Sequence, residues 1–212
     1  MKYFFFISIS FFNFYCCIAQ QQYSIQDLKS GKFKEDSSYI YSLPFENNKK
    51  VFLIQAYDSK MSHNGELALD FKIKKKTKIC AARDGIVTGA RGDSDEGGLK
   101  PENMSDGNYI SIKHYDGSVA HYWHLVKNGA LVNVGDTIIK GQVIGLSGKT
   151  GFAAIPHLHF IVWTSDKNGR WQQVATRFET SKGIKYLRPW KWYRNRRKTG
   201  DDLPKLIETA AQ

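Results

Sequence analysis

Residues 157–163 read His157-Leu158-His159-Phe160 followed by Ile-Val-Trp, an apolar run interrupted by two histidines. Its aromatic and β-branched content predicts a β-strand. Because side chains alternate along a strand, the two histidines point to one face and Leu158 and Phe160 point to the core. Two imidazoles on one face suit a metal ligand beside an acid/base group. The pair is explained equally well as two histidines on a solvated strand face.

The chain from residue 51 onward consists of short apolar runs separated by turns rich in Gly, Asn and Asp. No amphipathic helix of useful length is predicted between residues 51 and 164. Runs at this spacing predict an all-β fold, with antiparallel sheets in a sandwich or barrel-sandwich hybrid and an open groove. The polar stretch 92–107 predicts a long surface loop beside that groove. The predicted strands are 51–55, 67–71, 78–83, 86–91, 109–114, 119–125, 142–147 and 157–163.

A second informative stretch is S-H-N-G-E-L-A-L-D-F at residues 62–71. The Asn-Gly pair predicts a turn, and the alternating apolar residues from 67 to 71 predict a strand with one buried face. Asp70 then points away from the core, and His63 lies at the mouth of the strand. With His159 they make a set of two histidines and a carboxylate, which suits a catalytic zinc site whose fourth position is left to water. The alternative is a surface aspartate and a loop histidine.

Asp116-Gly117 predicts a two-residue hairpin turn between the strands on either side of it. Under that turn Ile112 pairs with His121. His114 and His121 then lie on the more apolar face as structural histidines, while His124 lies on the polar face and can line a groove. A slip of one residue would invert these faces.

The first nineteen residues predict a signal peptide. Lys2 precedes a sixteen-residue apolar run that ends before Ala19, with cleavage predicted between Ala19 and Gln20. The run is shorter than the roughly 20 residues that span a bilayer. Bulky aromatic residues before Cys16 disfavour a lipoprotein site. We therefore expect an exported protein, located in the periplasm, the cell envelope or the medium.

After cleavage Cys80 is the only cysteine, so no intrachain disulfide can form. About 190 residues remain, enough for one domain with its own core. The formal charge of +11 falls to +10 with the loss of Lys2. Such a charge predicts attraction to polyanions, namely nucleic acid, an anionic membrane or an acidic wall polymer.

Several segments, in this order along the chain, resemble the lysostaphin-type zinc metallopeptidases, endopeptidases that cut peptidoglycan cross-links and share a LytM-like domain. The resemblance covers about half of the chain. The matching segments are residues 62–71, A-A-R-D-G-I-V at 81–87, N-Y-I-S-I-K-H-Y-D-G at 108–117, H-Y-W-H-L at 121–125, V-G-D-T-I-I-K-G-Q-V-I-G at 134–145, S-G-K-T-G at 147–151 and P-H-L-H-F at 156–160.

The resemblance implies a zinc ion bound by His63, Asp70 and His159, with His124 and His157 taking part in the reaction. It implies an exported zinc endopeptidase that acts on peptidoglycan stem peptides. Three positions depart from the family pattern: Lys76 and Ile155 replace usual glycines, and Ile161 replaces a frequent glutamate. The six residues between His63 and Asp70 also exceed the three of the best-known members.

Two other functions are considered. A non-catalytic LytM-like binding or activator module would typically lack ligands, whereas every expected position here is filled. A nucleic-acid binder would suit the charge but not the export signal.

The predicted domain organisation is a signal peptide at 1–19, an N-terminal extension at 20–50 that packs on or near the core, the LytM-like metallopeptidase domain at 51–180 and a basic, aromatic C-terminal tail at 181–212. Residues 182–198 hold eight basic residues and no acidic one, interleaved with aromatic residues. This composition is typical of a solvated edge. It also predicts contact with an anionic envelope polymer or with lipid head groups.

Overall fold

The computed structural model describes residues 40–196. The predicted signal peptide, residues 20–39 of the predicted N-terminal extension and the residues beyond 196 of the predicted tail lie outside this range. Within it the chain is all-β, as predicted, with seventeen strands and one short 3-10 helix at Pro101–Asp106. No helix in the described range is long and apolar enough to cross a membrane. The strands are β1 Ile40–Ser42, β2 Lys50–Gln55, β3 Ala68–Lys72, β4 Lys78–Cys80, β5 Gly85–Arg91, β6 Gly97–Gly98, β7 Tyr109–Lys113, β8 Val119–Trp123, β9 Leu125–Ala130, β10 Thr137–Ile138, β11 Val143–Ser147, β12 Gly151–Phe152, β13 His157–Ser165, β14 Trp171–Gln173, β15 Arg177–Thr180, β16 Gly183–Lys185 and β17 Lys191–Arg194.

The main sheet has nine strands, with β14 paired to β13 beside the strand order β10-β5-β7-β8-β13-β3-β2-β17. Smaller sheets have the orders β4-β11-β9 and β1-β15-β16, and β12 pairs with β6. The histidine strand β13 lies inside the main sheet, antiparallel to β8 on one side and to β3 on the other. This position gives the residues of β13 neighbours on both sides.

The core lies on one face of β13, as the alternating pattern predicts. Leu158 and Phe160 are almost completely buried, and the Phe160 ring contacts Tyr122, Tyr41 and Phe178 at centroid distances of 5.2, 5.8 and 5.7 Å. Burying such an aromatic side chain contributes roughly 1.5–3 kcal/mol. This packing fixes the face that β13 turns outward, and His157 and His159 lie on that outer face.

The predicted register of the β7–β8 hairpin is wrong by one residue. Ser111, not Ile112, lies opposite His121. The loop has three residues instead of two: the backbone N–H of His114 donates to the Ser118 carbonyl at 2.8 Å, and Gly117 takes a φ of +82°. A three-residue loop of this kind, a type I turn followed by a left-handed residue, is the commonest hairpin connection after the two-residue loop.

The shifted register moves His121 to the outer face, where its Nδ1 lies 2.7 Å from the Ser111 hydroxyl. The prediction that it lies on the apolar face is therefore wrong. His114 does pack in the interior, where its Nδ1–H donates to the Asp84 carbonyl at 2.7 Å. His114 is thus a structural histidine, as predicted.

The stretch 92–107 forms the predicted surface loop beside the groove, and it contains β6 and the 3-10 helix. Strand β6 pairs in parallel with β12, which ties the loop to the main body. Leu99 and Met104 from this loop line the groove described below.

Both ends of the described range pair with sheets of the main body. Strand β1 pairs with β15, and β17 pairs with β2 at one edge of the main sheet. The Tyr193 ring of β17 is buried, and its hydroxyl accepts a hydrogen bond of 2.7 Å from the Arg188 backbone N–H. Residues 191–194 of the predicted tail therefore belong to the main sheet.

Candidate metal centre

All five predicted site residues line one groove of about 670 Å³, which we call the central groove. Asp70 comes from β3, and His157 and His159 come from β13. His63 lies in the loop before β3, and His124 directly follows β8. Five side chains from four separate parts of the chain thus meet at one place.

Asp70 lies at the centre of the cluster. The β13–β3 register places it directly opposite His159, whose Nδ1 lies 3.0 Å from Asp70 Oδ1. His63 Nε2 lies 3.1 Å from Asp70 Oδ2, and the Gln55 amide donates to the same oxygen at 2.8 Å. Burial alone would raise the pKa of Asp70, but the hydrogen bonds from His159 and His63 outweigh it and hold the pKa well below its usual range. Asp70 is therefore a buried carboxylate.

The backbone fixes the orientation of His63. Its Nδ1 lies 3.1 Å from the Ala68 carbonyl and 3.4 Å from the Ala56 carbonyl. Since a carbonyl only accepts, Nδ1 carries a hydrogen and Nε2 faces Asp70. Burial lowers the pKa of His63, but contact with Asp70 outweighs that effect and raises it.

These residues fit a metal ion. Two imidazole nitrogens and one carboxylate oxygen are a donor set that zinc prefers. His159 Nδ1 lies 3.0 Å from Asp70 Oδ1 and His63 Nε2 lies 3.1 Å from Asp70 Oδ2, so each imidazole contacts a different oxygen of the carboxylate. Both distances are within a few tenths of an ångström of the roughly 3.3 Å expected between neighbouring ligand atoms of a tetrahedral zinc site. The His63 hydrogen bond to a carbonyl is the kind of outer contact that fixes the tautomer of a metal-binding histidine.

Glu66 is a site residue that the sequence reasoning missed. Its Oε1 lies 3.6 Å from His159 Nε2, the ring nitrogen that faces away from Asp70. Ligand atoms of His63, Glu66 and His159 all lie within 4.8 Å of one another, so this carboxylate also lies within reach of a metal. The available signal was its place in the stretch 62–71, three residues after His63.

His124 and His157 lie together beside Asp70, with ring centroids 4.5 Å apart and His157 Nε2 3.7 Å from Asp70 Oδ1. The His124 Nδ1 lies 2.7 Å from the Thr150 carbonyl, and the His157 Nδ1 lies 2.8 Å from the Ile155 carbonyl. Both therefore carry the hydrogen on Nδ1 and present an unprotonated Nε2 when neutral. Burial lowers the pKa of His157 and lowers that of His124 to about 3. In both cases burial favours the neutral imidazole.

His124 does not reach the groove by strand alternation, which is how the sequence reasoning placed it. It has a φ of +67°, a left-handed conformation that is uncommon outside glycine. This turn of the backbone follows β8 directly. The prediction that His124 lines the groove is thus confirmed in position, although the reason differs.

Apolar side chains form the walls of the central groove. Trp123 and Trp163 come from the main sheet, Ile54 comes from β2, and Phe152 comes from β12. Walls of this kind with a few convergent polar groups are typical of a ligand site.

Comparison with known proteins places these features in a family. The sequence profile of Peptidase family M23 matches residues 63–173, a range that contains all five predicted site residues. Glycyl-glycine endopeptidase ALE-1 of Staphylococcus capitis is 31% identical over 151 residues, which cover 71% of this chain and 39% of that protein. Lysostaphin of Staphylococcus simulans is 33% identical over 125 residues, 58% of this chain and 23% of lysostaphin.

Peptidoglycan DD-endopeptidase ShyA of Vibrio cholerae is 36% identical over 98 residues, 46% of this chain and 19% of that protein. The chain thus spans between 19% and 39% of the length of these three relatives. The crystallised catalytic domain of Staphylococcus simulans lysostaphin matches with a TM-score of 0.42 and 30% sequence identity, covering 59% of this chain and 88% of that one. Because the family profile matches over half of its residues, this chain belongs to peptidase family M23.

Proposed function

We propose that this chain is an exported zinc endopeptidase that hydrolyses the peptide cross-links of bacterial peptidoglycan. The observation that carries the proposal is the position of Asp70, within 3.1 Å of ring nitrogens of both His63 and His159. Family membership supports the reaction class, and the names of relatives such as ShyA support peptidoglycan as the substrate.

His63 through Nε2, Asp70 through its carboxylate and His159 through Nδ1 would hold the zinc ion. Zinc in such a site polarises the scissile carbonyl and makes a water molecule acidic enough to attack at neutral pH. Gln55 keeps the Asp70 carboxylate in place, and Glu66 would orient His159 through Nε2.

His124 and His157 would move the protons. Each donates its Nδ1–H to a backbone carbonyl, so each Nε2 lone pair is available inside the groove. A neutral imidazole so placed accepts a proton from the attacking water. Once protonated, it donates a hydrogen bond to the developing oxyanion or a proton to the leaving amine.

A non-catalytic module is the alternative function. Modules of this kind would be expected to have lost one of the five groups, yet all five line the central groove here. The complete set therefore favours the enzyme.

We also propose that an anionic envelope polymer contacts the chain away from the central groove. A cavity of about 850 Å³ lies between the β15–β16 hairpin and β17, and seven lysines and arginines line it without any acidic residue. Among its exposed cations Lys182, Arg188 and Lys191 form no ion pair within residues 40–196. Unpaired cations lining a cavity attract a polyanion.

The decisive experiment pairs zinc analysis with the release of muropeptides from peptidoglycan, using the wild type and His159→Ala. About one zinc per chain and release of cleaved cross-links, both lost in the variant, would support the enzyme. A folded wild type that binds peptidoglycan without zinc or cleavage would instead show a binding module.

A further inference from the structure

We propose that the outer face of β2 and β17 binds the sugar rings of the glycan strand whose stem peptide enters the central groove. Phe52, Trp190 and Trp192 form this surface, which we call the aromatic platform. The inference rests on the proposed function, because it assigns a second part of the same substrate to a second part of the surface.

The sheet register connects the platform to the central groove. His157 of β13 lies opposite Lys72 of β3, Lys72 lies opposite Phe52 of β2, and Phe52 lies opposite Trp192 of β17. Directly paired residues of neighbouring strands point to the same face of a sheet. The four side chains therefore form one row across the outer face, from the groove to the sheet edge.

A second connection runs along β2. Its outer residues are Lys50, Phe52 and Ile54, whereas Val51 and Leu53 are buried in the core. Ile54 lines the central groove, and Phe52 follows on the same face two residues away. The wall of the groove therefore continues into the platform.

The platform is accessible although its rings contact one another. The Phe52 ring lies 5.2 Å from Trp192 and 6.2 Å from Trp190, measured between centroids. Yet Trp192 remains 60% exposed and Trp190 remains 64% exposed. Large aromatic residues that cluster at the surface mark binding sites more often than scattered ones do.

Trp190 has a strained backbone conformation that a hydrogen bond to β2 holds in place. It has a φ of +60°, which costs a bulky residue on the order of 1–2 kcal/mol. Its backbone N–H donates to the Leu53 carbonyl at 2.7 Å, which anchors the residue to β2. The fold thus holds the exposed indole over the outer face of β2 at a cost in backbone energy.

The chemistry of the platform suits a saccharide. The axial C–H bonds of a pyranose form an apolar face that packs on an aromatic ring, and the indole N–H offers a polar contact. Lys50, whose Nζ lies 5.0 Å from the Trp192 ring centre, and Lys72 add cations beside it, which suit a substrate with free carboxylates.

The distance from groove to platform matches the substrate. His157 and Trp192 are three strand spacings apart, or roughly 14 Å. At roughly 3.3–3.6 Å per extended residue, a peptide of about four residues spans this distance. In the proposed substrate, a stem peptide of about this length would join a cross-link in the central groove to sugar rings on the platform. A substrate held at both places would therefore bridge the row from His157 to Trp192.

The test compares Trp190→Ala/Trp192→Ala with Trp171→Ala in the whole chain. Trp171 is a matched control because it is 57% exposed and lies on β14, outside the platform and the central groove. Binding is measured by titrating each zinc-loaded protein with an oligomer of N-acetylglucosamine. Cleavage is measured on intact peptidoglycan and on a cross-linked peptide without sugars. Thermal melting verifies folding, and Trp192→Tyr, which keeps an aromatic ring, serves as a second variant.

We expect the double variant to lose saccharide binding at least tenfold and to cleave intact peptidoglycan at least fivefold more slowly, with cleavage of the sugar-free peptide unchanged. Trp171→Ala and Trp192→Tyr should stay near the wild type. The proposal that the platform binds sugar would be overturned if the double variant bound the saccharide as tightly as the wild type. It would also be overturned if the variant cleaved both substrates equally more slowly. If the wild type cleaves neither substrate, the proposed reaction fails, and the saccharide titration still decides whether the platform binds sugar.

Discussion

The Nδ1 of His159 lies 3.0 Å from Oδ1 of Asp70, its direct cross-strand neighbour. The opposite ring nitrogen of His159 lies 3.6 Å from Glu66. One imidazole is therefore flanked by two carboxylates, of which Asp70 is buried and Glu66 is partly exposed. This arrangement assigns different roles to the two acids and leads to the first prediction.

Asp70→Asn should abolish stoichiometric zinc binding, because the amide is a much poorer ligand than the carboxylate that His63 and His159 surround. Glu66→Gln should keep one zinc per chain and weaken its affinity roughly 10–100-fold, as expected for a group that orients a ligand from outside. Zinc titration against a competing chelator measures both. Loss of zinc in Glu66→Gln equal to that in Asp70→Asn would make Glu66 a ligand.

His124→Ala and His157→Ala should each keep the zinc ion and lower the rate of cross-link cleavage by about 10²–10⁴-fold, the range for a missing acid/base group. The measurement is zinc content together with the initial rate of muropeptide release. His114→Asn is the matched control, since His114 is buried outside the central groove and asparagine can donate to the same Asp84 carbonyl. Release of zinc from either alanine variant would contradict the assignment to proton transfer.

His114 should make the free energy of unfolding depend on pH. Burial lowers its pKa from 6.5 to about 4 in the folded state, so the unfolded state binds more protons between these values. Stability contributed by the neutral form should therefore be complete above pH 6.5 and decrease as the pH falls towards 4, by up to about 3 kcal/mol. Urea unfolding of the wild type and His114→Asn at a series of pH values measures the difference. If the free energy of unfolding changed with pH in the same way in both proteins, His114 would be ruled out as the source of the pH dependence.

Gly151→Ala should impair catalysis through the backbone beside His124. Gly151 has a φ of +77°, and a Cβ there would lie 2.7 Å from the Gly107 Cα and 3.5 Å from His124 Nδ1. We expect cleavage to fall at least tenfold with zinc retained, because the Thr150 carbonyl that orients His124 must move. Gly117→Ala is the control: its φ of +82° carries a similar strain of about 1–2 kcal/mol, but nothing lies within 4 Å. Equal cleavage rates in the two variants would contradict the prediction.

Lys185→Ala/Arg188→Ala should weaken binding to a phosphate polymer, since both side chains line the basic cavity. The measurement is retention of inorganic polyphosphate as a function of salt concentration, where fewer contacts should give a shallower salt dependence. Lys113→Ala/Lys167→Ala removes the same charge from exposed positions outside the cavity. The same decrease in both double variants would show that binding reflects net charge alone.

Local pattern was enough to predict the strands that carry the site. Alternation in 157–163 and 67–71 assigns Leu158 and Phe160 to the core, and it assigns Asp70 and His159 to the outer face, because side-chain direction in a strand depends on adjacent residues. The structure confirms these faces and the all-β class. The roles of His63, Asp70 and His159 as ligands stay a prediction, as do those of His124 and His157 in catalysis.

The sequence by itself determined which side chains β3 and β13 turn outward and which residue types were available for chemistry. Only the tertiary structure decided which of them meet. The three-residue loop at 115–117 shifted His121 to the outer face, and a left-handed turn brought His124 into the groove. The approach of Glu66 to His159, and the row from His157 to Trp192, depend on pairing between strands far apart in the chain. Such long-range register is set by packing of the whole core, which no single stretch of sequence contains.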